Sequence, residues 1–490
     1  MKTLIKYNKL ISLTVAFLLL FGCKKDFLEI DDNTSLYRQT YVKDLSTMQD
    51  FLRGIYFRYA VNFELSTSQA YPEVVADNMK PVAQFGCFLT THYSWTQKAE
   101  LGDGVDYPGL SLEATAMNSL WKVGYQIANA CSFVISETDR YRSENPHLAD
   151  DIKGQAYAIR ALTHFKLVNV FAQPISFSAE GNHPGIPYIT SHDISKPVIR
   201  LGVSDVYQNI IQDYQRSIML FTNPNTDPKV MNVYAAKALL ARTYLFKGDF
   251  TNALNLAAEV ASNYPLMTIA QGYPDKIFHS VKSSETETLY QLAPYGTVNI
   301  PFSFLGFMVN GFSMGFSATK DIANILIENP ADVRAKWVKY DQGDWQIVKF
   351  PQDAAPEINP AVNDPKSAYY PPVIRSSEMY LTVSEAAAKL GDRSTALKYL
   401  NAIRKRANPD VMDIEASGKA LLDSIYKERR KELAFEGLRM FDLQRNQQGV
   451  FREDAIFQYA KALPFPSNMA IAPIPLKDVQ LSSMSQNDGY

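Results

Sequence analysis

The residues able to do chemistry are few, and they do not gather into a catalytic pattern. The six histidines, His92, His147, His164, His183, His192 and His279, lack the H-E-x-x-H spacing that would set two imidazoles on one helical face for zinc. Cys87 and Cys131 have no neighbouring cysteine to complete a tetrahedral site, so no metal and no cofactor are expected. After export those two thiols would either pair or stay buried and free. Gly311-Phe312-Ser313-Met314-Gly315 has the G-x-S-x-G form of a nucleophile elbow. That device needs a strand before the serine, a helix after it, and an acid and a histidine downstream. No histidine follows His279, so the order Ser–Asp–His cannot occur within this chain. The Walker-type glycine loop is missing from the sequence. Asp103 and Asp106 read as solvated loop acids more readily than as the paired carboxylates of a glycosidase. The expectation is a binding protein, not an enzyme.

What the chain carries in quantity is rings: 28 Tyr, 27 Phe and 4 Trp, or 12% of its residues. A sugar-binding surface needs flat apolar faces for the C–H side of a pyranose, with amides or carboxylates alongside for its hydroxyls. Three stretches offer that mixture. They are Asp77, Asn78, Tyr93, Trp95 and Tyr107; then Tyr295, Phe302, Phe304, Phe312 and Phe316; then Trp345, Tyr369 and Tyr370. The expected ligand-contacting set is Asp77, Asn78, Trp95, Tyr107, Tyr295, Phe312 and Trp345, with the other rings anchoring loops or filling the core. Lys+Arg (49) nearly cancels Asp+Glu (51), which excludes gripping nucleic acid by bulk charge.

The elements that must position these rings read as mainly α. Residues 152–171 repeat apolar side chains near a 3.6-residue period, and 205–221 do the same with Ser204 as the expected N-cap. Ala241, Tyr244, Gly248, Phe250, Ala253, Ala257 and Pro265 sit at the offsets of a tetratricopeptide-type helical hairpin. Small residues let the two helices approach, and Gly248-Asp249 makes the turn. A second hairpin runs from Tyr380 to Pro409 around Gly391-Asp392, 143 residues further on, too far for a simple tandem solenoid. Long irregular insertions lie at about 81–112, 174–202, 267–318 and 340–373. Loops of this length are functional or disordered, and their aromatic content argues for ordered surface. Arg429, Glu432, Glu436, Arg439 and Asp442 stand at i+3 and i+4 spacings along what reads as one charged helix, a brace with Leu433, Phe435, Leu438 and Phe441 beneath it.

Residues 1–22 read as a leader outside the fold. Lys2, Lys6 and Lys9 precede an apolar run from Leu10 to Phe21 that is nearer a signal-peptide core than a bilayer span. Gly22-Cys23 at its end has the form of a lipobox, making Cys23 the expected lipidation site and 23–490 a single mature domain. Loss of the three lysines would take the net charge from −2 to about −5.

Four segments read in order give a resemblance. They are Gly154–Ala161 continuing to Phe171, the Ala235–Ala258 hairpin, Val373–Ala386 continuing through Arg404, and Glu428–Arg445. With Pro473-Ile474-Pro475, Gln486–Tyr490 and the lipobox, the chain resembles the SusD/RagB family of outer-membrane nutrient-binding lipoproteins. The resemblance implies a SusD-like fold and a lipid-anchored protein on the outer face of the outer membrane. Lys24-Lys25-Asp26-Phe27-Leu28-Glu29 resembles the charged tether of Bacteroidota surface lipoproteins. It further implies capture of an oligosaccharide for delivery to a SusC-like TonB-dependent transporter, with ligand contacts near Asp77–Asn78, the Trp95 loop and the Tyr295–Phe316 loop. A peptide-binding RagB-like receptor is the alternative within the family. A surface hydrolase and a tetratricopeptide scaffold for protein partners are the alternatives outside it.

Overall fold

The computed structural model describes residues 41–82, 89–99, 112–222, 225–278, 287–292, 308–309, 312–313, 315–341, 343–350, 358–359, 364–365 and 371–490. The leader, Cys23 and Cys87 lie outside the described residues, and Cys131 is a free, buried thiol.

The body is mainly helical, and several of the long helices begin where the sequence supplies a cap. Helix α1 (Leu45–Arg58) starts at Asp44, whose carboxylate accepts from the Thr47 N–H while the Thr47 hydroxyl accepts from the Asp44 N–H. It runs into a π-helix, Tyr59–Ser68, and then into α2 (Gln69–Val74). After α3 (Leu112–Glu137), α4 (Pro146–Phe171) opens with proline at its first turn and Asn145 accepting from the Leu148 N–H. Helix α4 packs between α3 and α5 (Val203–Leu220) at the centre of the core. Ser204 is not the cap of α5. The helix begins at Val203 with extended Gly202 before it, because the Ser204 N–H is drawn onto the Gly181 carbonyl at 2.7 Å.

Both hairpins form at the expected turns. Helices α6 (Val233–Lys247) and α7 (Phe250–Asn263) meet at Gly248, whose φ of +82° suits glycine, and Asp249 caps α7 through the Asn252 N–H. Helices α8 (Ser376–Lys389) and α9 (Arg393–Ala407) repeat the device with Gly391 at φ +85° and Asp392 accepting from the Thr395 N–H. The two hairpins are neighbours in space, since α8 packs against α7 as well as α9. Separation along the chain is bridged by tertiary packing.

The charged stretch from Arg429 to Arg445 is two helices, not one. Helix α10 (Gly418–Glu432) stops, residues 433–438 turn with Phe435 at φ +67° and Gly437 at φ +78°, and α11 (Arg439–Arg445) begins. The expected spacings along one helix therefore give way to long-range pairs. Arg429 donates to Asp442 at 2.8 Å across the break. Glu432 accepts from Arg375 and Arg406 at 2.6 Å each and from Arg334 at 2.8 Å. Burial alone would raise the Glu432 carboxyl, but those three guanidiniums hold it well below the usual carboxylate range. Leu433, Phe435, Leu438 and Phe441 are buried beneath this break.

One antiparallel sheet of four short strands crosses the insertions, in the order β1–β2–β4–β3: β1 (Met79–Pro81), β2 (Phe316–Ala318), β3 (Val338–Asp341) and β4 (Asp344–Ile347). Ser313 lies in a two-residue strand paired with Met308–Val309, and the next described element is β2, so the G-x-S-x-G stretch is no strand–serine–helix elbow.

Candidate ligand-binding surface

The sheet is where stretches distant in sequence meet. Met79 faces Ala318 across β1 and β2, Ala318 faces Trp345 across β2 and β4, and Trp345 faces Tyr340 across β4 and β3. Residues directly opposite one another share a face of a sheet. This row therefore runs from core to solvent: Met79 and Ala318 are buried, Trp345 is half-buried, and Tyr340 is 60% exposed. The Tyr340 and Trp345 rings meet edge to face, with centroids 5.2 Å apart. The reverse face is polar. Lys80 reaches Asp344 at 3.1 Å and Asp454 at 2.9 Å, and Ser317 donates to Asp344 at 2.9 Å. Burial opposes the charge on Lys80, but hydrogen bonds to Asp454 and Asp344 raise its pKa.

Lys80 ties the sheet to Asp454, in the segment that carries a second group of rings. Three residues beyond Asp454, Phe457 stacks on Tyr459 with centroids 5.3 Å apart and planes within 7° of parallel. Tyr459 is 64% exposed, which leaves its outer face open. Each pair offers a flat apolar face of the kind that holds a sugar by its C–H side, while the Lys80–carboxylate chain lies on the reverse side of the sheet from Tyr340 and Trp345. Among the described residues no group of histidine, cysteine and acidic side chains is placed to hold a metal ion. Burial lowers the His92 and His164 imidazoles to about 3, leaving both neutral at physiological pH.

Two family models match the chain. One, described as the SusD family, covers residues 323–490, and the other, described as starch-binding and associating with the outer membrane, covers 26–245. The chain belongs to the SusD/RagB family. SusD-like protein P25 of Formosa agariphila is 21% identical over 98% of this chain and 100% of its own length. A solved SusD superfamily protein of Bacteroides thetaiotaomicron is 24% identical, covers 91% of this chain and 100% of its own, and superposes with a TM-score of 0.77. A solved SusD-like protein described as laminarin-binding is 20% identical over 92% of this chain and 100% of its own, with a TM-score of 0.63.

In this SusD/RagB chain the expected ligand residues fall into three groups. Asp77, Asn78 and Trp95 face inward, which corrects the expectation that they line an open loop. Asp77, 5% exposed, is gripped by Arg439 at 2.6 and 2.9 Å, and its carbonyl accepts from Arg430. Burial would raise the Asp77 carboxyl, but Arg430 and Arg439 hold it far below the ordinary carboxylate range. Asn78, 1% exposed, donates to Glu73 at 2.7 Å and accepts from Arg430 at 2.9 Å. Trp95, 8% exposed, donates its indole N–H to the Val75 carbonyl and lies 4.2 Å from the Arg452 guanidinium. These side chains are engaged in holding the segment 73–95 to the C-terminal part of the chain. The second group, Tyr107 and Tyr295, lies outside the described residues, and Phe312 is placed only as part of a two-residue strand. Trp345 alone forms the third, on the open part of the sheet.

Sequence reasoning missed Tyr340, Phe457 and Tyr459. For Tyr340 the signal was available: Tyr340 and Trp345 flank the turn at Gly343, the spacing of a tight hairpin with cross-strand partners. It also missed Glu73, whose carboxylate accepts from the backbone N–H groups of Phe435, Gly437, Leu438 and Arg439. Burial raises the Glu73 carboxyl despite those bonds.

Proposed function

We propose that this protein is a non-catalytic receptor that captures an oligosaccharide on the Tyr340/Trp345 edge of the sheet and hands it to a SusC-like TonB-dependent outer-membrane transporter. The observation that carries this reading is the exposed, cross-strand ring pair of Tyr340 and Trp345. The starch-binding description of a matching family and the laminarin binding ascribed to a structural neighbour support a glycan as ligand. Tyr459 and Phe457 would supply further ring faces, and Tyr107, Tyr295 and Phe312 are proposed as additional ligand contacts. Asp77, Asn78 and Trp95 would act indirectly, through their contacts with Arg430, Arg439 and Arg452 in the C-terminal part of the chain.

Cys23, acylated after removal of the leader, would anchor the protein to the outer membrane facing outward. Two or more acyl chains, at ~0.8 kcal/mol per buried CH₂, suffice for stable anchoring. Among the described residues no helix is long and apolar enough to cross a membrane.

Isothermal titration of the mature chain with laminarin-derived and starch-derived oligosaccharides tests the reading. Saturable heat from at least one of them, abolished or weakened by Tyr340→Ala with Trp345→Ala, is expected. Heat from peptides and none from any glycan would turn the assignment to a peptide receptor, and sugar products released on incubation would make it a hydrolase.

A further inference from the structure

A cleft of about 660 Å³ opens where three helices end: α6 at Lys247, α8 at Lys389 and α11 at Arg445, with the loop through Ser176 and Glu180 as its far wall. Arg445 is already engaged, donating to Glu385 and to Asp442 at 2.8 Å each. The two lysines are not. Neither ammonium forms an ion pair among the described residues, and Lys389 merely overlies the rings of Phe250 and Tyr426 at 5.8 Å.

Cations are favoured at helix C-termini by the helix dipole, yet the carbonyls there are closed by other donors. Gly248 and Asp249 N–H groups cap Leu245 and Tyr244, while Gly391 and Asp392 N–H groups cap Ala388 and Ala387. The lysines are left to face the cleft. Glu180, the acid in its lining, accepts only a long 3.4 Å bond from Asn182. Two further features mark the wall as unfinished. The Ser176 hydroxyl is buried without a partner. Gln447 closes α11 in a left-handed cap at φ +55°, its N–H bonded to the Gln444 carbonyl, and its side-chain amide makes only a long 3.4 Å bond to the Ser176 carbonyl.

We propose that this cleft is a second binding site and that it takes an anionic sugar residue, bearing either a carboxylate or a sulfate ester. Lys247 and Lys389 would meet the charge, Phe250 the C–H face of the ring, and the Ser176 hydroxyl and Gln447 amide its remaining oxygens. A bare anion would leave most of the volume unfilled. That the ligand is a sugar rests on the glycan-capture reading above; that it is anionic rests on the lysines.

The test is calorimetric titration of the mature chain at low ionic strength with digalacturonate, galactose 6-sulfate, lactose and inorganic sulfate. At least one acidic sugar should bind, and the tighter of the two tells carboxylate from sulfate. Lys247→Met with Lys389→Met should weaken that binding about tenfold or more, and the double arginine variant should restore it. Trp345→Ala should leave it unchanged. Both lysines are at the surface, and a thermal melt checks that the variants fold. The proposal is overturned if neither acidic sugar binds, if lactose or inorganic sulfate binds as tightly, or if the double methionine variant keeps full affinity. Neutral glycan binding that survives any of those results leaves the sheet-edge reading intact. Loss of neutral binding with acidic binding retained would remove that reading and spare this one.

Discussion

The helical hairpins with their ionic core and the sheet edge with its exposed rings use the same residue types to opposite ends. In the core, charge is buried and spent. Glu432, Glu287 and Glu436 lie among Arg334, Arg375, Arg406 and Lys349, and almost none of these side chains touches solvent. Lys349 lies 3.9 Å from the Trp337 ring, and burial pulls its ammonium down to about 8 even with Glu436 beside it. At the edge, Tyr340 and Tyr459 offer faces to water, and the Lys80–carboxylate chain remains partly open. On the proposed reading, stability is concentrated in the first region and recognition in the second, so substitutions should separate cleanly.

The largest effect belongs to the ionic core. Glu432→Gln leaves three buried guanidiniums short of their shared carboxylate and should cost about 3–5 kcal/mol in chemical denaturation. Tyr340→Ala, at the edge, should shift the same midpoint by less than about 0.5 kcal/mol. Equal shifts would erase the distinction. Next comes Glu73→Ala, which strips the acceptor from a turn holding four backbone N–H groups and should cost about 3 kcal/mol. The same turn predicts an acid response. The folded-state carboxyl of Asp77 titrates below its unfolded value of about 3.9, so its contribution is present above that pH and lost as pH falls below it. Wild-type stability should fall between about pH 4 and 2, and Asp77→Asn should flatten that limb in pH-dependent denaturation.

How far the sequence reveals this division depends on the range of each interaction. The hairpins are legible because Gly248-Asp249 and Gly391-Asp392 act within one turn, and a left-handed glycine followed by a capping aspartate is a local signal. The ionic core is not legible. Glu432 finds Arg334 98 residues away and Arg375 57 residues away, and spacing along a helix says nothing about either. Asp77 and Asn78 look like sugar-contacting residues by type, yet arginines at 430 and 439 draw them inward. Trp95 is drawn inward likewise, under Arg452. Trp345 was identifiable as a ring within an insertion, whereas Tyr340 needed its cross-strand register to stand out.

Smaller effects sharpen the contrast further. Trp345→Ala should weaken oligosaccharide binding about tenfold, the loss of one stacked ring, with the fold retained in circular dichroism. Gly391→Ala forces a side chain into the left-handed turn of the second hairpin and should cost about 1 kcal/mol with no change in affinity. A loss of affinity there would mean that the hairpins contribute to recognition after all.

Diffraction from crystals of the mature chain grown with a laminarin-derived or starch-derived oligosaccharide tests the central claim most directly. The account predicts a sugar ring lying flat against Trp345 or Tyr340. A glycan bound elsewhere, with both of those rings bare, would contradict it.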